Sequence, residues 1–368
     1  MRKLLGTHGD WVLLLGLLIG AVASGCEKLE SKSVGKPVDP VAPAGDSAAA
    51  GTKVSSEPVE LLNVSYDPTR ELWREVNEAF IADYAKRGGN VTIKQSHGGS
   101  STQARSVIDG LEADVVTLAM QTDTEAIVKS GLIQEGWEKR LPNDSLPYSS
   151  TIVFVVRKGN PKQIKDWKDL VGAGVEVITP NPKTSGNGKL SFLAAWGSVL
   201  SGGGSEEKAK EFVTELYKHV PVLDSGARGA TTTFAQKNIG DVHLTWENEA
   251  YFEVDEAKGE LEIVYPATSI IAEPRVAVVD EVVDHKGSRA AAEAYLKFLY
   301  TDAGQEIIAK HHYRATNPAQ VKKLSGPAAA IKLFPITAVA LSWAEAEKKF
   351  FASDAIFDVI QAEIASAK

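Results

Sequence analysis

Three stretches of this 368-residue sequence put small, hydroxyl-bearing and amide-bearing residues where a helix is about to begin. They are Ser96-His97-Gly98-Gly99-Ser100, Asn181-Pro182-Lys183-Thr184-Ser185-Gly186-Asn187-Gly188 and Asp224-Ser225-Gly226-Ala227-Arg228-Gly229. Small residues let backbone approach a ligand, and the first N–H groups of a helix lack intrahelical acceptors while carrying the positive end of its dipole. A compact dianion is the natural guest for such turns. One of them alone would read as an ordinary capped βα turn, because Ser and Gly are default capping residues. Three in one chain favour binding.

Other chemistries fail on residue type or spacing. His97 near Ser100 could suggest a catalytic dyad, but the sequence has no G-x-S-x-G elbow and the histidine reads more simply as a turn residue. Lys189 after Gly186-Asn187-Gly188 has a P-loop flavour, yet Lys183 stands where the first glycine is required and Leu190 replaces Ser or Thr. His311 and His312 are adjacent, so on a helix they point about a quarter-turn apart and cannot face one metal ion together. Trp137, Trp167, Trp196 and Trp343 show no cage-like spacing and are expected in packing. The expectation is a protein without metal, cofactor or catalytic residues, and not an enzyme.

The elements around these turns alternate. Val59 to Tyr66, Val91 to Gln95 and Val115 to Ala119 read as strands, separated by helical spacing at Leu72, Val76, Phe80 and Ile81 and again over Thr102 to Leu111. A second set follows Pro147, with strands at Thr151 to Val156, Val175 to Ile178 and His243 to Trp246, and a short strand-like stretch before Asp224. This predicts α/β architecture with two lobes, each a mostly parallel sheet flanked by helices. Thr151 to Arg157 and Arg275 to Asp280 are candidates for two crossings between lobes. In such sheets ligands bind beyond the carboxyl ends of the strands, where the three turns lie.

At this point the sequence resembles a family. SYDPTRE at Ser65 to Glu71, SHGGS at Ser96 to Ser100, the KGNPKQI and ITPNPK segments, DSGARG at Asp224 to Gly229 and WENEA at Trp246 to Ala250 are similar to the periplasmic sulfate-binding proteins of ABC-type importers. The resemblance runs from about Val59 past Tyr313. It implies a two-lobed class II periplasmic binding fold with a two-crossing hinge, closing on one dehydrated sulfate. It also implies sulfate contacts at Asp67, through its backbone N–H, and at Ser100 in the first lobe. In the second lobe it implies Ser185, Gly186, Asn187, Ala227 and the indole of Trp246, with Arg228 supporting its loop. The family's usual pair at 186 and 187 is Gly-Gly, so Asn187 is a departure. Thiosulfate, molybdate and other tetrahedral oxyanions remain open alternatives, and the implied partners are permease subunits of an importer, with the receptor itself a monomer.

Composition agrees with an exported globular chain. The formal net charge of −8 argues against nucleic acid, whose phosphates demand dense Lys and Arg. Arg2 and Lys3, an apolar run from Trp11 to Val22 and small residues up to Cys26 have the parts of an export signal. Ala23-Ser24-Gly25-Cys26 resembles a lipobox, with the chain's single cysteine as lipid acceptor. The expected divisions are 1–25 signal peptide, 26–57 anchor and flexible linker, 58–148 plus 272–368 first lobe, and 149–271 second lobe. The expected location is periplasmic or cell-surface, anchored to a membrane through the lipid.

Overall fold

Residues Pro58–Tyr66 form β1, and their burial explains its central place: Leu61 and Val64 are fully buried on opposite faces, each against its own apolar cluster. A strand apolar on both sides needs helices on both sides. The computed structural model describes residues 57–324 and 326–367; the expected export signal, Cys26 and the expected linker before 57 lie outside them. The further strands are β2 (Asn90–Gly98), β3 (Val115–Thr117), β4 (Tyr148–Arg157), β5 (Val177–Ile178), β6 (Val242–Trp246), β7 (Leu261–Val264), β8 (Thr268–Ala272), β9 (Val276–Val278), β10 (Arg314–Ala315) and β11 (Lys332–Phe334).

Two sheets result, as expected. The first has the order β2-β1-β3-β9, parallel except for β9. The second is mixed, where a mostly parallel one was expected: β4 pairs antiparallel with β6, β7, β8 and β10, and only β5–β6 and β11–β8 run parallel. The reason is that β4 carries the chain in from the first sheet and β8 carries it back, so the two run opposite ways. The return is short, since only residues 273–275 separate β8 in the second sheet from β9 in the first.

One expected division differs. Residues 272–368 do not all return to the first sheet: Tyr313 belongs to its core, but β11 pairs with β8, and Phe350, Phe351, Phe357 and Ile360 join the core of the second. The chain therefore passes between the sheets a third time. The cause is the helix Gly186–Ser201, buried on all sides from Gly186 to Gly197. A helix apolar all round must be covered all round. The tail supplies the cover, with Phe334 packed so tightly on Gly197 that a Cβ there would lie 2.3 Å from its ring.

Candidate functional site

The carboxyl ends of β1, β2 and β3 face the start of the helix Gly186–Ser201, the start of the helix Ala227–Thr231 and the end of β6 across one small cavity. Tyr66, Asp67, Pro68, Gly98, Gly99, Ser100 and Ala119 line it from the first sheet's side, and Ser185, Gly186, Asn187, Ala227 and Trp246 from the second's. All seven contact residues expected from the sequence are thus brought together. About 10 Å³ is open to the centre of a water-sized sphere. That is room for about one water molecule and none for a nucleotide or a sugar. A larger cleft of about 630 Å³ beside Tyr251, His312 and Leu324 lies away from these helix starts.

Each lining residue owes its role to its place in an element. Ser100 opens the helix Ser100–Ile108; its hydroxyl donates to Asp123 Oδ2 and accepts the Ala119 N–H at 3.0 Å. The hydroxyl is therefore engaged, and the backbone N–H is the donor that Ser100 can offer. Asp67 starts a single 3₁₀ turn, and its carboxylate accepts from Arg70 Nη2 at 2.7 Å, which offsets its charge. Ser185 caps the helix Gly186–Ser201 by accepting from the Gly188 N–H at 3.5 Å, so its own proton remains to be donated. Asn187 has negative φ and turns its amide away: Nδ2 donates to the Leu244 carbonyl at 3.3 Å and Oδ1 accepts from Ser191 at 3.3 Å. Ala227 opens its helix after Gly226, which has no side chain to cap it.

Trp246 is the most informative member. It ends β6 fully buried, its ring lies 5.3 Å from that of Tyr66, and its indole N–H has no hydrogen-bond partner. A buried unpaired donor costs about 1–3 kcal/mol, so the position calls for an acceptor that enters the cavity. No lysine, arginine or histidine lines it. Charge here is met by N–H dipoles, not by ion pairs.

The neighbours set this frame. Arg228 does not face the cavity; it bridges Glu71 at 2.7 Å on the first side and Glu249 at 3.0 Å on the second. Burial works against its charge, but Glu249 and Glu71 outweigh it and raise its pKa. His97 sits within β2, which is longer than expected, and not in a turn; its Nε2 pairs with Gln95 Oε1 at 2.7 Å and burial lowers its pKa to about 4. It stays neutral at ordinary pH, with no link to Ser100. The stretch before Asp224 is not a strand; instead the Asn181 N–H donates to the Asp224 carbonyl at 2.8 Å and ties the second and third turns together. His311 pairs with Glu75 and His312 stacks on Tyr251, and among the described residues no group of three or more His, Cys, Asp or Glu could hold a metal. Trp137, Trp167, Trp196 and Trp343 are all in packing. The sequence reading missed Tyr66, Pro68, Gly98, Gly99 and Ala119 as lining residues, although the first four lie within two positions of Asp67 or Ser100.

Residues 67–314 match the family described as bacterial extracellular solute-binding protein. The chain is 54% identical over 314 residues to the sulfate-binding protein of Escherichia coli K12, covering 84% of this chain and 95% of that one. It is 51% identical over 316 residues to the thiosulfate-binding protein of Pseudomonas aeruginosa, covering 85% and 95%. Among solved structures, the sulfate-binding protein SubI of Mycobacterium tuberculosis H37Rv superposes with a TM-score of 0.71 at 33% identity, covering 79% of this chain and 99% of that one.

Proposed function

The chain belongs to the bacterial extracellular solute-binding proteins, and on that premise we propose that it is an extracytoplasmic receptor that captures sulfate between two lobes and delivers it to the permease of an ABC-type importer. The observation that carries the reading is the unpartnered indole N–H of Trp246, buried beside a small cavity lined by three helix starts and no basic side chain. Indole and backbone N–H groups only donate. They can replace the hydration shell of a dianion that carries no proton. Phosphate keeps at least one O–H near neutral pH and needs an acceptor; the one carboxylate on the lining, Asp67, spends Oδ1 on Arg70, and in this reading it meets the ion with its backbone N–H and not with Oδ2. Thiosulfate is the second reading, favoured by the 51% identity to a protein that bears that name.

The lobes in this proposal are 58–148 with the segment from 276 to about 313, and 149–272 with the tail from 332. Neither half-site encloses an ion alone, so the closed form is the one that ligand favours. Titration calorimetry at neutral pH should show sulfate binding more than about tenfold tighter than phosphate, a gap of roughly 1.4 kcal/mol. Small-angle scattering should show a smaller radius of gyration with sulfate than without. Equal affinities, or scattering unchanged at saturation, would overturn the reading.

The receptor is further proposed to be exported and tethered by lipid on Cys26, the only cysteine in the chain. Cys26→Ala should then abolish incorporation of labelled palmitate and release the protein from the membrane fraction. Label retained by the variant would exclude Cys26 as the anchor.

A further inference from the structure

A hydrogen-bond donor set can reject an ion that carries a proton, but it cannot rank ions that share charge and shape. Sulfate, selenate and molybdate are all tetrahedral dianions above neutral pH, with radii that rise in that order. Resting on the reading of the cavity as a dianion site, we propose that the choice among them is set by two rigid stops across the cleft: Gly99 against the Thr184 carbonyl, and Gly186 against the Ala119 methyl.

The distances identify the stops. A Cβ built on Gly99 would lie 2.5 Å from the Thr184 carbonyl oxygen, and one on Gly186 would lie 2.6 Å from Ala119 Cβ. Real Cβ atoms essentially never come so close, so something would have to shift. In each pair one residue belongs to the first sheet's side and the other to the second's. Neither glycine is needed for its own backbone: Gly99 has φ −58° and ψ 135°, and Gly186 is absent from the positive-φ residues. Only the opposing lobe demands that they lack a side chain.

The stops are also stiff. Thr184 donates its N–H to the Asn181 carbonyl at 3.1 Å and its hydroxyl to the Ser225 carbonyl at 2.8 Å, and the Ala119 N–H donates to Ser100 Oγ at 3.0 Å. The Thr184 carbonyl is backbone and the Ala119 methyl is fixed directly to it, so neither can yield as the far end of a flexible side chain would. The donors themselves ride on the same two surfaces, with Ser100 next to Gly99, and Ser185 and Asn187 flanking Gly186. The width at which the surfaces meet is therefore the spacing of the donors. A methyl group at either stop holds that spacing open while leaving every N–H and the indole in place.

The test is calorimetry of sulfate, selenate and molybdate at pH 8 on the parent, Gly99→Ala and Gly186→Ala, with circular dichroism and melting of the ligand-free proteins. Each variant should lose sulfate affinity by about tenfold or more, as overpacked contacts do. Selenate should lose less and molybdate least, so that the sulfate-to-molybdate ratio falls by about tenfold. Gly99→Ala carries the test if Gly186→Ala does not fold, since the backbone at 99 is ordinary for alanine. Loss by the same factor for all three ions, or no change in any, would overturn the inference. If the parent binds none of the three, it is the dianion reading itself that fails.

Discussion

Trp246→Phe is expected to weaken sulfate binding by about 10- to 150-fold while leaving a folded protein. The substitution keeps an aromatic ring at the end of β6 and deletes one N–H, the group that has no partner in the ligand-free cavity. A hydrogen bond to a charged group is worth roughly 1.5–3 kcal/mol, which converts to that range of affinity. Stability should not share the loss in proportion, because the indole N–H bonds to no protein group. Calorimetry gives the affinity, and urea unfolding without sulfate gives the control. A second donor is tested by Asn187→Pro, which removes the N–H at the second position of the helix Gly186–Ser201, where proline is tolerated. The amide side chain at 187 is hooked to Leu244 and Ser191, so Asn187→Gly should cost less than about tenfold, the equivalent of roughly 1.4 kcal/mol. If Trp246→Phe and Asn187→Pro both fold and bind like the parent, the ion is not held by this constellation.

What could be read from the sequence follows the range of the signal. Helix starts are written locally, by a small or hydroxyl residue before a helical run, so Ser100, Ser185, Gly186 and Ala227 were all legible as turn residues before any fold was known. That they share one cavity was implied only by resemblance, since convergence depends on contacts between residues about 40 or more apart in sequence. The parts that escaped are long-range ones. Nothing near Phe334 or Phe357 says which sheet they will cover, although the uninterrupted burial of LSFLAAWG after Lys189 shows that some cover was required. The antiparallel pairing of β4 was equally hidden: its run of buried Val and Ile reads the same in either direction. Gly99 and Gly186 look like ordinary turn glycines until the opposing surface is placed against them.

At pH 9, Arg228→Ala is expected to destabilise the ligand-free protein by roughly 3–5 kcal/mol, because there it strands a buried carboxylate. Glu249 is almost wholly buried, and Arg228 is the cation that meets it, at 3.0 Å from Nε, while reaching Glu71 on the other side at 2.7 Å. Glu253, one turn along the same helix and paired with His243 at 2.8 Å, adds a second buried acid. Burial already pushes the Glu249 carboxyl up to about 8 against the pull of Arg228, with Glu253 pushing the same way. A carboxyl whose folded pKa is raised holds its proton in the native state where the unfolded chain, near 4.5, has released it. By linkage its contribution is most favourable below about pH 4.5 and is lost as pH rises toward and past 8. Removing the arginine takes away what eases that loss, so the deficit of the variant should be larger at pH 9 than at pH 6. Urea unfolding of parent and variant at the two pH values measures it. The double variant Arg228→Ala, Glu249→Gln should recover more than half of the deficit at pH 9, since a neutral amide needs no cation. A deficit under about 1 kcal/mol that does not change with pH, or a double variant no better than the single one, would mean that the pair is too well hydrated to matter.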